Sequence, residues 1–193
     1  MAQPVYIAVI GGSDISPETA ALAREVGREV AARGAVLLCG GLGGVMAAAA
    51  QGAREAGGVS LGILPEGDRR RANPYLTYTI ATNLGHARNM LIAHSADALI
   101  AVDGGYGTVS EAAIALKLGK PVIALEVTWD LPGLRRATSR PTSRAWAAVS
   151  GLISLPPITA IYTGDAMFPP VCRRDQPGVP INFLHLPADM TTL

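Results

Sequence analysis

Glu111 is a carboxylate placed just after a glycine-rich turn, where it could act on a bound anion. Beside a phosphate-binding turn, a carboxylate can serve as a catalytic base or stabilise a positive charge that develops during a reaction. Thr108-Val109-Ser110-Glu111 also has the Thr-x-x-Glu spacing of a capping box, in which both side chains bond to backbone N–H groups at the start of their own helix. The spacing alone favours the capping box.

Arg88 is the second candidate for chemistry, in the stretch His86-Ala87-Arg88-Asn89 at the start of a mostly apolar helix. A guanidinium can make two parallel hydrogen bonds to a phosphate or to ribose hydroxyls. The alternative is a surface arginine that lays its stem along apolar neighbours and keeps its charge in water. From the residues alone, the surface arginine is favoured.

Three glycine-rich turns follow three predicted strands, at residues 11–13, 40–44 and 104–108. Glycine lets a ligand approach the backbone, and the helix that follows offers free N–H groups and a positive dipole end, which suits a phosphate. The spacing is neither GxxxxGK[ST] nor GxGxxG, which disfavours a P-loop NTPase and a standard dinucleotide fold. For the first turn, ligand binding and simple chain reversal are equally supported; for the third, ligand binding is favoured. The candidate phosphate-binding residues of these turns are Gly11, Gly12, Ser13, Gly41, Gly43, Gly44, Gly104, Gly105, Tyr106, Gly107 and Thr108.

Metal and disulfide chemistry is not indicated. Cys39 and Cys172 lie far apart, and His86, His94 and His185 do not have metal-ligand spacing. We therefore expect no metal site and no cofactor.

Alternating strands and helices must position the glycine turns. Nearly continuous apolar runs, such as residues 6–10 and 35–39, predict buried strands, and Ser16-Pro17-Glu18 predicts the start of a helix. Strands of this kind indicate a parallel sheet covered on both faces, and right-handed crossovers bring the glycine turns to its carboxyl edge. The predicted fold class is α/β, a Rossmann-like doubly wound parallel sheet in a single domain. Further strands are predicted at residues 59–64, 76–81, 99–102 and 121–125, and further helices at 45–56, 84–94 and 108–118.

The strand and helix pattern fades after Trp129, and half of the 14 prolines fall from Pro156 onward. We therefore predict a Rossmann-like nucleotide-binding domain at residues 1–135 and an irregular C-terminal segment at 136–193. Within that segment a short helix is predicted at 143–150 and apolar pieces at 159–162 and 181–186. Whether the segment docks on the domain or on a partner subunit stays open.

The composition limits the classes of partner. The chain has 193 residues, of which 49% are hydrophobic and 16% charged, enough to bury a large core. The formal net charge of +1 is too balanced for a nucleic-acid binder that relies on a bulk positive field. Residues 1–5 do not have the pattern of a signal peptide, and the uncharged stretch at 34–53 contains glycines that fit a strand, a turn and a helix. We expect a soluble cytoplasmic protein with no membrane partner.

Several motifs together resemble the LOG-like family, many of whose members were once labelled lysine decarboxylases. They are residues 40–46 (GGLGGVM), 52–58 (GAREAGG) and 62–65 (GILP). Residues 104–111 (GGYGTVSE) are similar to the family's PGGxGTxxE signature, and 86–89 (HARN) to part of its HxRK element. The pieces at 72–75 (ANPY), 87–89 (ARN) and 119–122 (GKPV) are similar to a small bacterial branch related to molybdenum-cofactor carrier proteins.

The resemblance implies a phosphoribohydrolase, which cleaves a nucleoside 5′-monophosphate into free base and ribose 5-phosphate. It implies Glu111 and Arg88 as the catalytic pair, adds Met46 and Asn89 to the nucleotide-binding residues, and suggests a homodimer or higher homo-oligomer. Asp103 stands in place of the signature proline, and Asn89 in place of the lysine after the arginine. These departures favour the alternative, a non-catalytic protein that binds or carries a nucleotide or the molybdenum cofactor.

Overall fold

The protein is described by a computed structural model that covers residues 4–137. The predicted helix at 143–150 and the apolar pieces at 159–162 and 181–186 lie outside the described residues. Within 4–137, no helix is both long and apolar enough to cross a membrane.

Seven parallel strands form one sheet in the order β4-β3-β2-β1-β5-β6-β7. The chain builds the sheet outward from β1 in one direction and then in the other, so the order reverses between β1 and β5. In sheets of this kind, ligands bind beyond the carboxyl ends of the strands at such a reversal. The strands are β1 (Tyr6–Gly11), β2 (Val36–Cys39), β3 (Ser60–Leu64), β4 (Tyr78–Ala81), β5 (Ala98–Val102), β6 (Val122–Leu125) and β7 (Arg135–Ala137).

Helices cover both faces of the sheet. One core cluster joins Ile7 and Val9 of β1 to the first two helices, and another joins Ala8 and Ile10 to the next two. Because successive strand residues point to opposite faces, a single apolar run supplies both cores. The predicted doubly wound α/β fold is confirmed. The helices are α1 (Pro17–Ala32), α2 (Val45–Glu55), α3 (Arg88–Ser95) and α4 (Tyr106–Lys117).

Local chemistry explains where the helices begin. The side chain of Ser16 accepts a hydrogen bond of 3.1 Å from the backbone N–H of Thr19, with Pro17 at the first helical position, as the sequence predicts. The predicted helix at 84–94 instead begins as a 3₁₀ turn over Gly85–Ala87 and becomes α-helical at Arg88. Gly85 has a φ of +53°, which lies outside the right-handed helical region and delays the α-helix.

Candidate functional site

The three glycine turns meet at the carboxyl edge of the sheet. The backbone N–H of Val45, at the end of the second turn, donates a 2.9 Å hydrogen bond to the carbonyl of Gly12 in the first turn. A Cβ atom placed on Gly104, in the third turn, would lie 3.1 Å from the backbone nitrogen of Gly12. The structure therefore brings together the turns that the sequence singled out.

Some of these glycines are required by the packing of the chain on itself. A Cβ on Gly11 would lie 2.7 Å from the side chain of Val45, and one on Gly41 would lie 2.9 Å from Leu64. Gly44 has a φ of +60° and faces Ser13, while Gly104 has a φ of +100° and faces the side chain of Thr108. Both conformations disfavour any other residue. These four glycines are explained without a ligand.

Three other glycines have open space in front of them. A Cβ on Gly43 would come no nearer than 4.0 Å to its closest described neighbour, and Gly105 and Gly107 have no described atom within 4 Å of that position. All three are exposed. Packing among the described residues does not require glycine here, so these positions are the ones that leave room for a ligand close to the backbone.

The amino end of α4 is open to an anion. Its N-cap is Gly105, and among the described residues no side chain caps it and no acidic residue lies in its first turn. The capping-box interpretation of Thr108 and Glu111 is wrong, because the helix begins at Tyr106, two residues before Thr108. Thr108 is buried against Gly104 instead. Tyr106 is 95% exposed, at the mouth of the same turn.

Arg88 and Glu111 form a buried ion pair beneath the turns. Each residue is only 7% exposed, and Arg88 Nη1 lies 3.3 Å from Glu111 Oε1. The guanidinium occupies space that Gly40 leaves free, since a Cβ on Gly40 would lie 2.5 Å from Arg88 Nη1 and 2.6 Å from Met46 Sδ. The interpretation of Arg88 as a surface arginine is wrong, because the missing side chain at Gly40 admits the guanidinium into the interior.

Burial controls the ionisation of this pair. It raises the pKa of Glu111 to about 7, and the nearby charge of Arg88 offsets only part of the effect. Burial also lowers the pKa of Arg88, an effect that Glu111 partly offsets. Burial raises the pKa of the Cys39 thiol, at the end of β2, to about 12, so this thiol stays protonated. Glu111 can therefore either accept or release a proton near neutral pH, as a general acid or base must.

Asn89 ties α3 to α4. Its Nδ2 donates to Ser110 Oγ at 2.8 Å and to the carbonyl of Gly107 at 3.4 Å, while Ser110 Oγ donates to the same carbonyl at 2.7 Å. These bonds fix the first turn of α4 relative to Arg88, which precedes Asn89. A contact from Asn89 to phosphate stays a prediction.

Asp103 lies at the junction of the first and third turns. It has a φ of +53°, and its Oδ2 would lie 3.7 Å from a Cβ placed on Gly12. The exposed Ser13 completes the first turn. Asp103 therefore faces the first turn, so its negative charge stands beside the place proposed for an anion.

Two residues of the site, Trp129 and Glu66, were not predicted from the sequence, and neither was the role of Gly40 within the second glycine turn. Gly40 makes room for Arg88, and Trp129 Nε1 donates a 2.8 Å hydrogen bond to the carbonyl of Gly104. Glu66, in the loop after β3, places one carboxylate oxygen in the interior. Its position directly after a predicted parallel strand was the available signal, because such positions lie at the ligand-binding edge. Within residues 4–137, no group of three or more His, Cys, Asp or Glu residues could hold a metal ion.

Comparisons with known proteins show which family model and which relatives this chain matches. The model of the SLOG cluster4 family matches residues 4–149. An uncharacterised protein from Archaeoglobus fulgidus is 50% identical over 131 residues, which cover 68% of this chain and 86% of that protein. A cytokinin riboside 5′-monophosphate phosphoribohydrolase from Mycobacterium tuberculosis is 34% identical over 124 residues, which cover 59% of this chain and 66% of that protein.

A solved structure shares the fold over most of the described region. The molybdenum cofactor carrier protein from Chlamydomonas reinhardtii superposes with a TM-score of 0.71 at 34% sequence identity. The match covers 79% of this chain and 100% of the carrier protein.

Proposed function

Because this chain belongs to the SLOG cluster4 family, which confirms the resemblance to LOG-like proteins, we propose that it is a phosphoribohydrolase. Its substrate is a nucleoside 5′-monophosphate, and its products are the free base and ribose 5-phosphate. The observation that carries the proposal is the buried pair of Arg88 and Glu111, with Glu111 in the second turn of α4, whose amino end has no side-chain cap among the described residues. The phosphoribohydrolase from Mycobacterium tuberculosis supports it as a relative.

The phosphate binds at the amino end of α4. Free N–H groups and the positive end of the helix dipole favour an anion there. The open space at Gly105 and Gly107 allows the phosphate oxygens to reach the backbone. The ligand is thus a small anion held by local dipoles, which agrees with the chain's net charge of +1 and does not need a nucleic-acid surface.

Cleavage breaks the bond between C1′ of the ribose and a nitrogen of the base. The bonding electron pair leaves with the base, which takes up a proton from solvent, and positive charge builds on the ribose. Water then forms the new bond to C1′ and loses one proton to Glu111, which returns it to solvent, so the protons balance. In its ionised form Glu111 stabilises that positive charge and accepts the proton from water. Arg88 binds the ligand and keeps the Glu111 carboxylate oriented toward the reacting bond.

The second candidate is a protein that binds or carries a nucleotide or the molybdenum cofactor without cleaving it. It is favoured by Asp103, whose carboxylate faces the first turn, and by Asn89, whose amide is already bonded to α4. The structural similarity to a molybdenum cofactor carrier protein also favours it.

Release of free base distinguishes the two candidates. The protein is incubated with AMP, GMP and cytokinin riboside monophosphates, and the free base is separated by liquid chromatography. We expect turnover by the natural chain, a loss of at least about 100-fold in kcat for Glu111→Gln, and full activity for the control Glu25→Gln on α1. Binding of these nucleotides without release of any base would favour the carrier.

A further inference from the structure

Two buried polar atoms, one on Arg88 of the buried ion pair and one on Glu66, have no partner among the described residues. Among the side chains of residues 4–137, Glu66 Oε2 and Arg88 Nε are the buried polar atoms without a hydrogen bond. One is an acceptor and the other a donor. Burying such atoms unpaired costs free energy, more so when the group is charged, so natural proteins rarely leave them without a partner.

Backbone hydrogen bonds hold Glu66 next to the segment that leads into Arg88. The carbonyl of Glu66 accepts a 3.2 Å bond from the N–H of Asn83, and the carbonyl of Pro65 accepts a 3.0 Å bond from the N–H of Gly85. Three residues further on, α3 begins at Arg88. Burial lowers the pKa of Arg88, and the carboxylates of Glu111 and Glu66 both act against that effect, so both lie within electrostatic reach of the guanidinium.

The unpaired atoms limit what can bind between them. The two atoms do not bond to each other, and one group that paired with both would have to donate to Glu66 and accept from Arg88. A hydroxyl group does both at once, whereas a phosphate oxygen can only accept, and it would be repelled by the carboxylate. The ribose of a nucleotide carries such hydroxyls.

We propose that Glu66 is a specificity-determining residue that accepts a hydrogen bond from a ribose hydroxyl, which Arg88 Nε contacts at the same time. The inference rests on the proposed function, since it takes the ligand to be a nucleoside 5′-monophosphate. It makes the site selective for ribonucleotides over deoxyribonucleotides. Glu111 then acts on the reacting bond, while Glu66 recognises the ribose by a hydrogen bond to one of its hydroxyls.

Binding by isothermal titration calorimetry tests the proposal with AMP, 2′-deoxyAMP and 3′-deoxyAMP as probes. A hydrogen bond to a charged group corresponds to a roughly 10- to 100-fold difference in binding constant. We expect AMP to bind at least about tenfold more tightly than one of the deoxy analogues. In Glu66→Gln and Glu66→Asp this preference should shrink severalfold, with circular dichroism confirming the fold. Asp68→Asn, which changes a carboxylate paired with Arg70 in the same loop, should keep the natural preference.

The other outcomes separate this inference from the proposed function. Equal binding of all three probes, or an unchanged preference in both Glu66 variants, would mean that a bound water satisfies the two atoms, and the inference would fail. If that happened while base was still released, the proposed function would stand. Selective binding without base release would uphold the role of Glu66 and defeat the hydrolase. No binding of AMP, GMP or a cytokinin riboside monophosphate would defeat both.

Discussion

The buried carboxyl of Glu111 makes the free energy of unfolding depend on pH. Its pKa is about 7 in the folded protein against an ordinary value of 4.5. Below pH 4.5 Glu111 is protonated in both the folded and the unfolded protein, and between pH 4.5 and 7 it ionises only in the unfolded protein. The contribution of Glu111 to the free energy of unfolding is therefore fully present at low pH. It is lost as the pH rises through 7, by about 3 kcal/mol.

Glu111→Gln isolates this contribution. Urea unfolding is measured for both proteins from pH 4.5 to 8. We expect the natural chain to lose stability relative to the variant as the pH rises. Parallel curves would contradict the raised pKa of Glu111.

Gly107 and Gly104 lie three residues apart, and we expect their replacement by alanine to have different effects on stability and on AMP affinity. Gly107→Ala meets no described atom and adds a better helix former to α4, so stability should stay the same or rise by about 0.5 kcal/mol. If the phosphate lies there, AMP affinity should fall at least about tenfold. Gly104→Ala forces a Cβ against Thr108 at a φ of +100°, so stability should fall by about 2 kcal/mol or more. Thermal unfolding and calorimetry measure both effects, and unchanged affinity in Gly107→Ala would place the phosphate elsewhere.

At the residue scale, the sequence identified Arg88 and Glu111 as candidates but could not tell their roles. The Thr-x-x-Glu spacing means a capping box only if the helix begins just after Thr108. Here the helix begins at Tyr106, which turns Glu111 inward. The space that Gly40 leaves for the guanidinium depends on the approach of two elements distant in sequence, so the spacing of residues did not reveal it.

At the scale of elements, the close packing of α1 against α2 depends on two helical glycines, Gly27 and Gly52. A Cβ on Gly27 would collide with the backbone of Ala49, and one on Gly52 would lie 2.8 Å from the carbonyl carbon of Arg24. Backbone cannot give way as a flexible side chain can, so Gly52→Ala should destabilise the protein by about 2 kcal/mol despite the gain in helix propensity. Gly107→Ala is the matched control, because that helical glycine has open space. Equal midpoints of thermal unfolding for the two variants would contradict this close packing of α1 against α2.

The strands were predictable where they are buried. β1, β2, β5 and β6 are apolar along their length, and such a pattern predicts a strand that is covered on both faces. β7 was not predicted, because Arg135-Arg136-Ala137 has no apolar pattern and lies at the edge of the sheet. Its place depends on pairing with β6, a long-range interaction that local sequence does not reveal.

At the scale of the whole molecule, we propose that the chain forms a homodimer through α3. Met90 and Leu91 of that helix are 46% and 38% exposed, and Leu84 just before it is 50% exposed. Apolar side chains exposed together mark interaction surfaces, and a second copy would remove them from water. Light scattering should give twice the chain mass, and Leu91→Glu should shift the protein to the monomer. Val59→Glu, at a 42% exposed apolar residue on another part of the surface, should leave the dimer intact; dissociation by both substitutions would argue against α3.

We propose that the folded domain ends beyond β7 and that the chain after this boundary is not needed for folding. The family match ends at residue 149, and Leu134, just before β7, still packs against the second core cluster. A chain shortened to residues 1–149 should therefore unfold cooperatively, with a midpoint of thermal unfolding within a few degrees of that of the full chain by calorimetry.

A chain ending at residue 128 is the control. It loses Trp129 together with its hydrogen bond to Gly104, and it loses Leu131 and Leu134, which pack against the second core cluster. Its stability should fall, by less for each of these half-buried side chains than the roughly 1.5–3 kcal/mol that full burial of an apolar side chain contributes. If the chain of residues 1–149 unfolded as readily as the shorter one, the C-terminal segment would have to be part of the domain.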